Sequence, residues 1–240
     1  MLAQSSEPLI RWGWIVDHLD DVWERTIEHV VLTVVAMAAG LVISSVLAAI
    51  ALRFRRTYAP ITWVSGLLYT IPSLALFGFL IPYTGLSMLT STIALTSYTI
   101  LILVRNIVAA IDGVPAHVRE AAAGLGYTPV RRVLTVELPL AAPVIVAGIR
   151  IASVTVVGLV TVTAFVGYGG YGAFIYDGLY RQFPTPIVLG AGLSVALAVA
   201  LDIGFVFVER ALTPWRRGSK RRRRARIDAP ALTELAEGRA

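Results

Sequence analysis

Two ionisable side chains, Arg150 and Asp202, stand inside runs that are otherwise apolar. Charged groups in such runs are costly and mark ion pairs, relays or ligand paths. The two are expected to pair with each other, a structural pair or snorkelling toward the interface being the plainer reading. Other chemistry is sparse. The chain has no cysteine, which excludes disulfides and thiolate sites. His18, His29 and His117 are far apart and lack the spacing of metal ligands. The run GYGGYG at 167–172 satisfies G-x-G-x-x-G, but a dinucleotide site needs that pattern between a strand and a helix. Here it ends an apolar run and is expected to be a flexible turn. No G-x-x-x-x-G-K-[ST] and no nucleophile elbow occur, so the chain is not expected to be an enzyme or to hold a cofactor of its own.

The longest polar-containing interruption is EAAAGLGYTPVRRVLTVELP, residues 120–139. Its opening Glu and Ala residues are strong helix formers, and Pro115 lies just upstream, where a first helical turn tolerates it. Gly124 and Gly126 weaken that helix. Thr128 and Pro129 then read as an N-cap and first-turn proline of a second one. The spacing predicts a short helix–turn–helix over 115–139, carrying Arg119, Arg131 and Arg132, outside the bilayer and shaped to dock another protein.

The elements around this segment follow from composition. Of the 240 residues, 57% are hydrophobic and 15% charged, and the mean hydropathy is +0.75. That balance favours a membrane protein over an ordinary soluble domain. Five apolar segments, at about 27–52, 61–82, 87–108, 141–166 and 187–209, approach the ~20 residues that cross a hydrocarbon core. Pro72 should kink the second or break it, giving a sixth short piece. The fold class is therefore an all-α polytopic membrane protein. Residues 1–26, with Trp12, Trp14 and Trp23 among acids, read as an external or interfacial segment. They do not resemble a cleaved signal peptide. Residues 27–214 read as the membrane domain, and 215–240 as a basic tail expected to be disordered.

Basic residues set the orientation. Arg53, Arg55 and Arg56, then Arg119, Arg131 and Arg132, then the run from Arg216, fall on one side of five crossings. The N-terminus is expected outside, with the C-terminus and residues 115–139 in the cytoplasm. The net charge of +6 resides largely in the tail, where Lys220 to Arg224 read as a topology anchor that attracts anionic lipid rather than nucleic acid. Small residues recur every fourth position at Ala36, Gly40, Ser44 and Ala48, and at Gly192, Ala196, Ala200 and Gly204. Either stripe suits close helix packing, within the chain or against a second subunit.

Glu120-Ala121-Ala122, then Gly126, then Val136-Glu137-Leu138-Pro139 resemble the EAA…G…LP motif of permease subunits of bacterial ABC importers. Thr70-Ile71-Pro72-Ser73-Leu74-Ala75-Leu76 is similar to the QTIPSLAL run of the glycine betaine, carnitine and choline branch, with Tyr69 in place of Gln. Arg105-Asn106, Ala147-Gly148-Ile149-Arg150 and the GYGGYG run extend the likeness, Tyr171 standing where Leu is usual. The resemblance implies a cytoplasmic coupling helix that docks on an ABC ATPase through Glu120, Ala121, Ala122 and Gly126. Leu138 and Pro139 would pass the movement to the fourth membrane helix. It also implies a second permease subunit, the same chain or a paralogue, and an extracytoplasmic substrate-binding protein, with ATP bound by the partner ATPase. Import of a quaternary-ammonium osmoprotectant across the bacterial plasma membrane is the function so implied. A same-fold importer for methionine or another small solute is one rival. A membrane-anchored scaffold using the basic tail is another.

Overall fold

A computed structural model describes residues 9–212, and all regular structure among them is helical. A short helix α1 (Trp12–Asp17) leads into α2 (Leu19–Arg53), a 35-residue rod. The rod starts earlier than the apolar run. Asp20 and Asp21 lie in its first turn, where carboxylates favour the positive end of the helix dipole. The boundary expected near residue 27 thus falls inside a continuous helix, and only α1 is a separate N-terminal piece.

After a 3₁₀ turn (Arg55–Thr57) the second apolar segment forms α3 (Tyr58–Thr70) and α4 (Ser73–Thr84), bent by 95° at Ile71-Pro72. Pro72 lacks the N–H that would continue α3, and the residue before a proline is driven out of the helical region. Ile71 accordingly has φ −64° and ψ 126°, and its freed carbonyl accepts a 2.6 Å hydrogen bond from Tyr98 Oη. Helix α5 (Met88–Asp112) begins at Ser87, whose side chain accepts from the Thr90 N–H. It is followed by α6 (Ala116–Gly124) and α7 (Pro129–Arg132), a π turn (Val133–Glu137) and α8 (Leu138–Val160). A 3₁₀ turn (Thr161–Val166), α9 (Gly172–Tyr180) and α10 (Pro184–Leu212) complete the described chain. Among the described residues, four helical runs are long and apolar enough to cross a membrane, or five if the bent α3–α4 pair is one span. The sixth piece expected from Pro72 is α4.

Helix α5 is the centre of the bundle. Leu32 and Ala36 of α2 meet Leu95 of α5 and Val156 and Val160 of α8 at one end. Ala48 and Ala51 meet Val104 and Val108 at the other. Ala110, Ile111 and Val114 close that second end on Ala141. The first small-residue stripe is what brings α2 and α5 together. Ala36, Gly40, Ser44 and Ala48 are all fully buried, and a Cβ on Gly40 would overlap the Thr99 hydroxyl. The second stripe is different. Gly192, Ala196, Ala200 and Gly204 lie on the exposed face of α10.

Candidate functional site

The end of the bundle that gathers the C-termini of α2, α5 and α10 and the start of α8 carries a projecting knob, α6 and α7. Its turn is built as the residues dictate. Helix α6 ends in a Schellman arrangement, Tyr127 N–H donating to Ala122 O (3.1 Å) and Gly126 N–H to Ala123 O (2.9 Å). Gly126 has φ +77°, the left-handed conformation in which a Cβ is strained. Thr128 then caps α7, its Oγ1 accepting from Arg131 N–H at 3.4 Å, and the Arg131 guanidinium lies 4.5 Å from the centre of the Tyr127 ring.

Glu120, Ala121 and Gly126 are exposed on this knob, Ala122 is buried beneath it, and Leu138 and Pro139 are exposed at the start of α8. Three large apolar side chains also stand out: Leu125 is 78% accessible, Val130 69% and Leu134 59%. On a segment that projects from the bundle, apolar exposure of this kind marks a contact surface. None of the three carried a signal in the sequence, because each sits among residues whose helical pattern already explains it.

Under the knob lies Glu137, 3% accessible. Arg132 Nε donates to its Oε1 at 2.7 Å, and Arg119 Nε approaches Oε2 at 4.0 Å. The same Arg119 donates through Nη2 to the carbonyls of Ile111 (2.7 Å), Asp112 (3.0 Å) and Val114 (2.9 Å), capping the end of α5. Asp112 in turn holds Arg55 in a two-point pair of 2.6 and 2.7 Å, tying the end of α5 to the turn after α2. Sequence reasoning placed Glu137 in a motif without a role. The available signal was its distance of five residues from Arg132, one turn of a π helix.

Arg150 of α8 and Asp202 of α10 are brought together, at 2.8 Å (Nε to Oδ1) and 2.9 Å (Nη2 to Oδ2), with Glu209 4.0 Å from the same guanidinium. At the opposite end of the bundle the GYGGYG run is held, contrary to the flexible turn expected. The Tyr171 N–H donates to His29 Nδ1 (3.3 Å), so the proton of this imidazole lies on Nε2, which donates to Val157 O (3.1 Å). Gly170 (φ +49°) lies against the His29 side chain, leaving no room for a Cβ. Tyr69 and Tyr98 meet edge to face at 6.1 Å beside the Pro72 break. Among the described residues, no group of His, Asp and Glu side chains gathers as metal ligands would.

Residues 22–214 match the family of binding-protein-dependent transport system inner membrane components. The chain belongs to this family. Among its relatives is the choline transport system permease protein OpuBB of Bacillus subtilis, 36% identical over 190 residues, which cover 79% of this chain and 88% of that one. The osmoprotectant import permease protein OsmW of Salmonella typhimurium is 32% identical over 206 residues, covering 84% and 96%. The MetNI methionine ABC transporter, in an inward-facing crystal form, shares the fold with a TM-score of 0.70 at 23% identity, covering 85% of this chain and all of that one. The protein is thus the membrane-spanning permease subunit of an ABC importer.

Proposed function

We propose that this permease imports a quaternary-ammonium osmoprotectant, such as choline, carnitine or glycine betaine. The observation that carries the reading is the substrate named for relatives that match along most of the chain, choline for one and osmoprotectants for another. The TIPSLAL run agrees with it. The N-terminus lies outside and the C-terminus inside, because Arg53, Arg55, Arg56, Arg119, Arg131, Arg132 and Arg210 all sit at the knob end of the bundle. The loops of the other end hold Asp177 and Arg181, which pair at 2.8 Å.

ATP is bound and hydrolysed by a separate ATPase that docks on the knob. Glu120, Ala121 and Gly126 are exposed for that contact, Leu125 and Val130 add apolar anchors, and buried Ala122 lets α6 sit close to its support. Closure of an ATPase dimer draws two knobs together. Leu138 and Pro139, at the start of α8, carry the movement into the bundle. Assembly needs a second permease subunit, a copy or a paralogue, and an external substrate-binding protein. Anionic lipid meets the basic tail, Lys220 to Arg224, which lies outside the described residues.

The test is uptake of labelled glycine betaine into proteoliposomes holding the permease, its ATPase and the binding protein. ATP-dependent uptake competed by choline or carnitine, and not by methionine, is the expected result. A complex that hydrolyses ATP and takes up methionine instead would overturn the substrate assignment.

A further inference from the structure

The knob joins the membrane bundle at two points, a short turn (113–115) after α5 and an unbroken helical backbone into α8. Residues Pro129–Val166 run as one 38-residue helical stretch, and the only widened turn in it is the π segment Val133–Glu137. Pro139 accounts for its position. It has no N–H to give the Thr135 carbonyl, and its ring would crowd that carbonyl in a tight α turn. A π turn also leaves the ladder locally weaker, and such turns recur at functional sites. A weak joint at this point would let the knob swing without moving α8, unless something bridges it.

Glu137 bridges it. The carboxylate is buried where three elements meet: Arg132 reaches it from the far end of the same turn, and Arg119 reaches it from α6 while capping α5. The carboxylate accepts a 2.7 Å hydrogen bond from Arg132 and stands 4.0 Å from Arg119, so both guanidiniums converge on one buried point. We propose that Glu137 is a positioning residue that locks α6 to the base of α8 across the π turn, so that the knob and α8 move as one body. This inference rests on the docking reading of the knob.

Two measurements separate the lock from the docking it serves. The first is transport per ATP hydrolysed in the assembled, reconstituted complex, with labelled glycine betaine as the probe. Glu137→Gln is expected to keep the ATPase bound and hydrolysing, while transport per ATP falls about ten-fold, within the usual range of coupling between sites. A residue serving only stability would lower yield and leave that ratio unchanged. If Glu137→Gln does not assemble, Arg132→Gln removes the same pair from the other side and should show the same loss.

The second uses the absence of cysteine. Spin labels on His117→Cys in α6 and Val144→Cys in α8, both exposed, report the distance across the joint in nanodiscs without background. One narrow distance, the same with and without nucleotide in the complex, is expected for Glu137. A broadened distribution is expected for Glu137→Gln. An unchanged ratio together with an unchanged distribution in the variant would overturn the proposal. Failure of the knob to bind any ATPase would sink the docking reading alone, because the distance across the joint is still read in the isolated chain.

Discussion

Asp202 accepts both of its short hydrogen bonds from one guanidinium, that of Arg150, and so fastens α10 to α8 within the apolar part of both helices. A planar fork meeting a carboxylate at two points is a geometry lysine cannot reproduce. Removing one partner of a buried pair leaves an uncompensated charge and costs ~3–5 kcal/mol. Here 29% of the Arg150 side chain and 38% of Asp202 are accessible, so protein encloses the pair only in part. Asp202→Asn is expected to lower the thermal midpoint of the detergent-solubilised protein and the yield of assembled complex. Arg150→Lys should do the same to a smaller extent. Wild-type melting and assembly in Asp202→Asn would show that Glu209, also near Arg150, suffices.

Gly126 separates strain from contact. Its φ of +77° costs a side chain ~1–2 kcal/mol, less for Asn and Asp, which tolerate the left-handed region. Nothing within 4 Å would touch a Cβ there, so the chain's own packing does not demand glycine. Gly126→Asn and Gly126→Asp should therefore insert and melt almost as the wild type does. If this face presses on an ATPase, both should lose ATP-driven transport by about ten-fold or more. The pair is best measured in the same proteoliposomes. Transport equal to wild type in both would remove Gly126 from the contact.

Much of this architecture was legible from local rules. Thr128-Pro129 starts α7, Gly126 ends the preceding turn and Pro72 breaks the second apolar segment, because cap, φ and missing N–H act within a few residues. The first small-residue stripe was legible as packing but not its partner, since nothing local names Thr99 as the residue above Gly40. Helix α2 starts at Leu19, ahead of the apolar run from about residue 27, because hydropathy finds where lipid begins and not where a helix begins. The Glu137 cluster stayed hidden for a related reason. Arg119 and Glu137 lie 18 residues apart and meet only after a turn and a π segment have folded the knob back on α5.

At the other end, the contact between His29 and the Gly170-Tyr171 peptide joins positions about 140 residues apart. A Cβ at Gly170 would meet both the His29 backbone and its ring, in a backbone conformation (φ +49°) that already disfavours it. Strain and overpacking each cost ~1–3 kcal/mol. With a midpoint shift of roughly 2–4 °C per kcal/mol for a chain of this size, Gly170→Ala should melt several degrees lower. Gly192→Ala, on the open face of α10, is the control and should not. Equal melting of the two variants would show that the loop relaxes away from His29 at little cost.

Orientation can be read directly, again because the chain has no cysteine of its own. Tyr180, at the end of α9, is 83% accessible and belongs to the end of the bundle that holds few cations. His117, exposed on α6, belongs to the arginine-rich end. Cationic loops resist transfer across the membrane, so the arginine-rich end should remain in the cytoplasm. In intact spheroplasts a membrane-impermeant maleimide should then label Tyr180→Cys and spare His117→Cys until the membrane is opened. The reverse pattern would place the knob outside, where no ATPase could reach it, and the coupling role would fall with the orientation. Labelling of both before permeabilisation would mean that α8, the one crossing between the two positions, does not span the membrane.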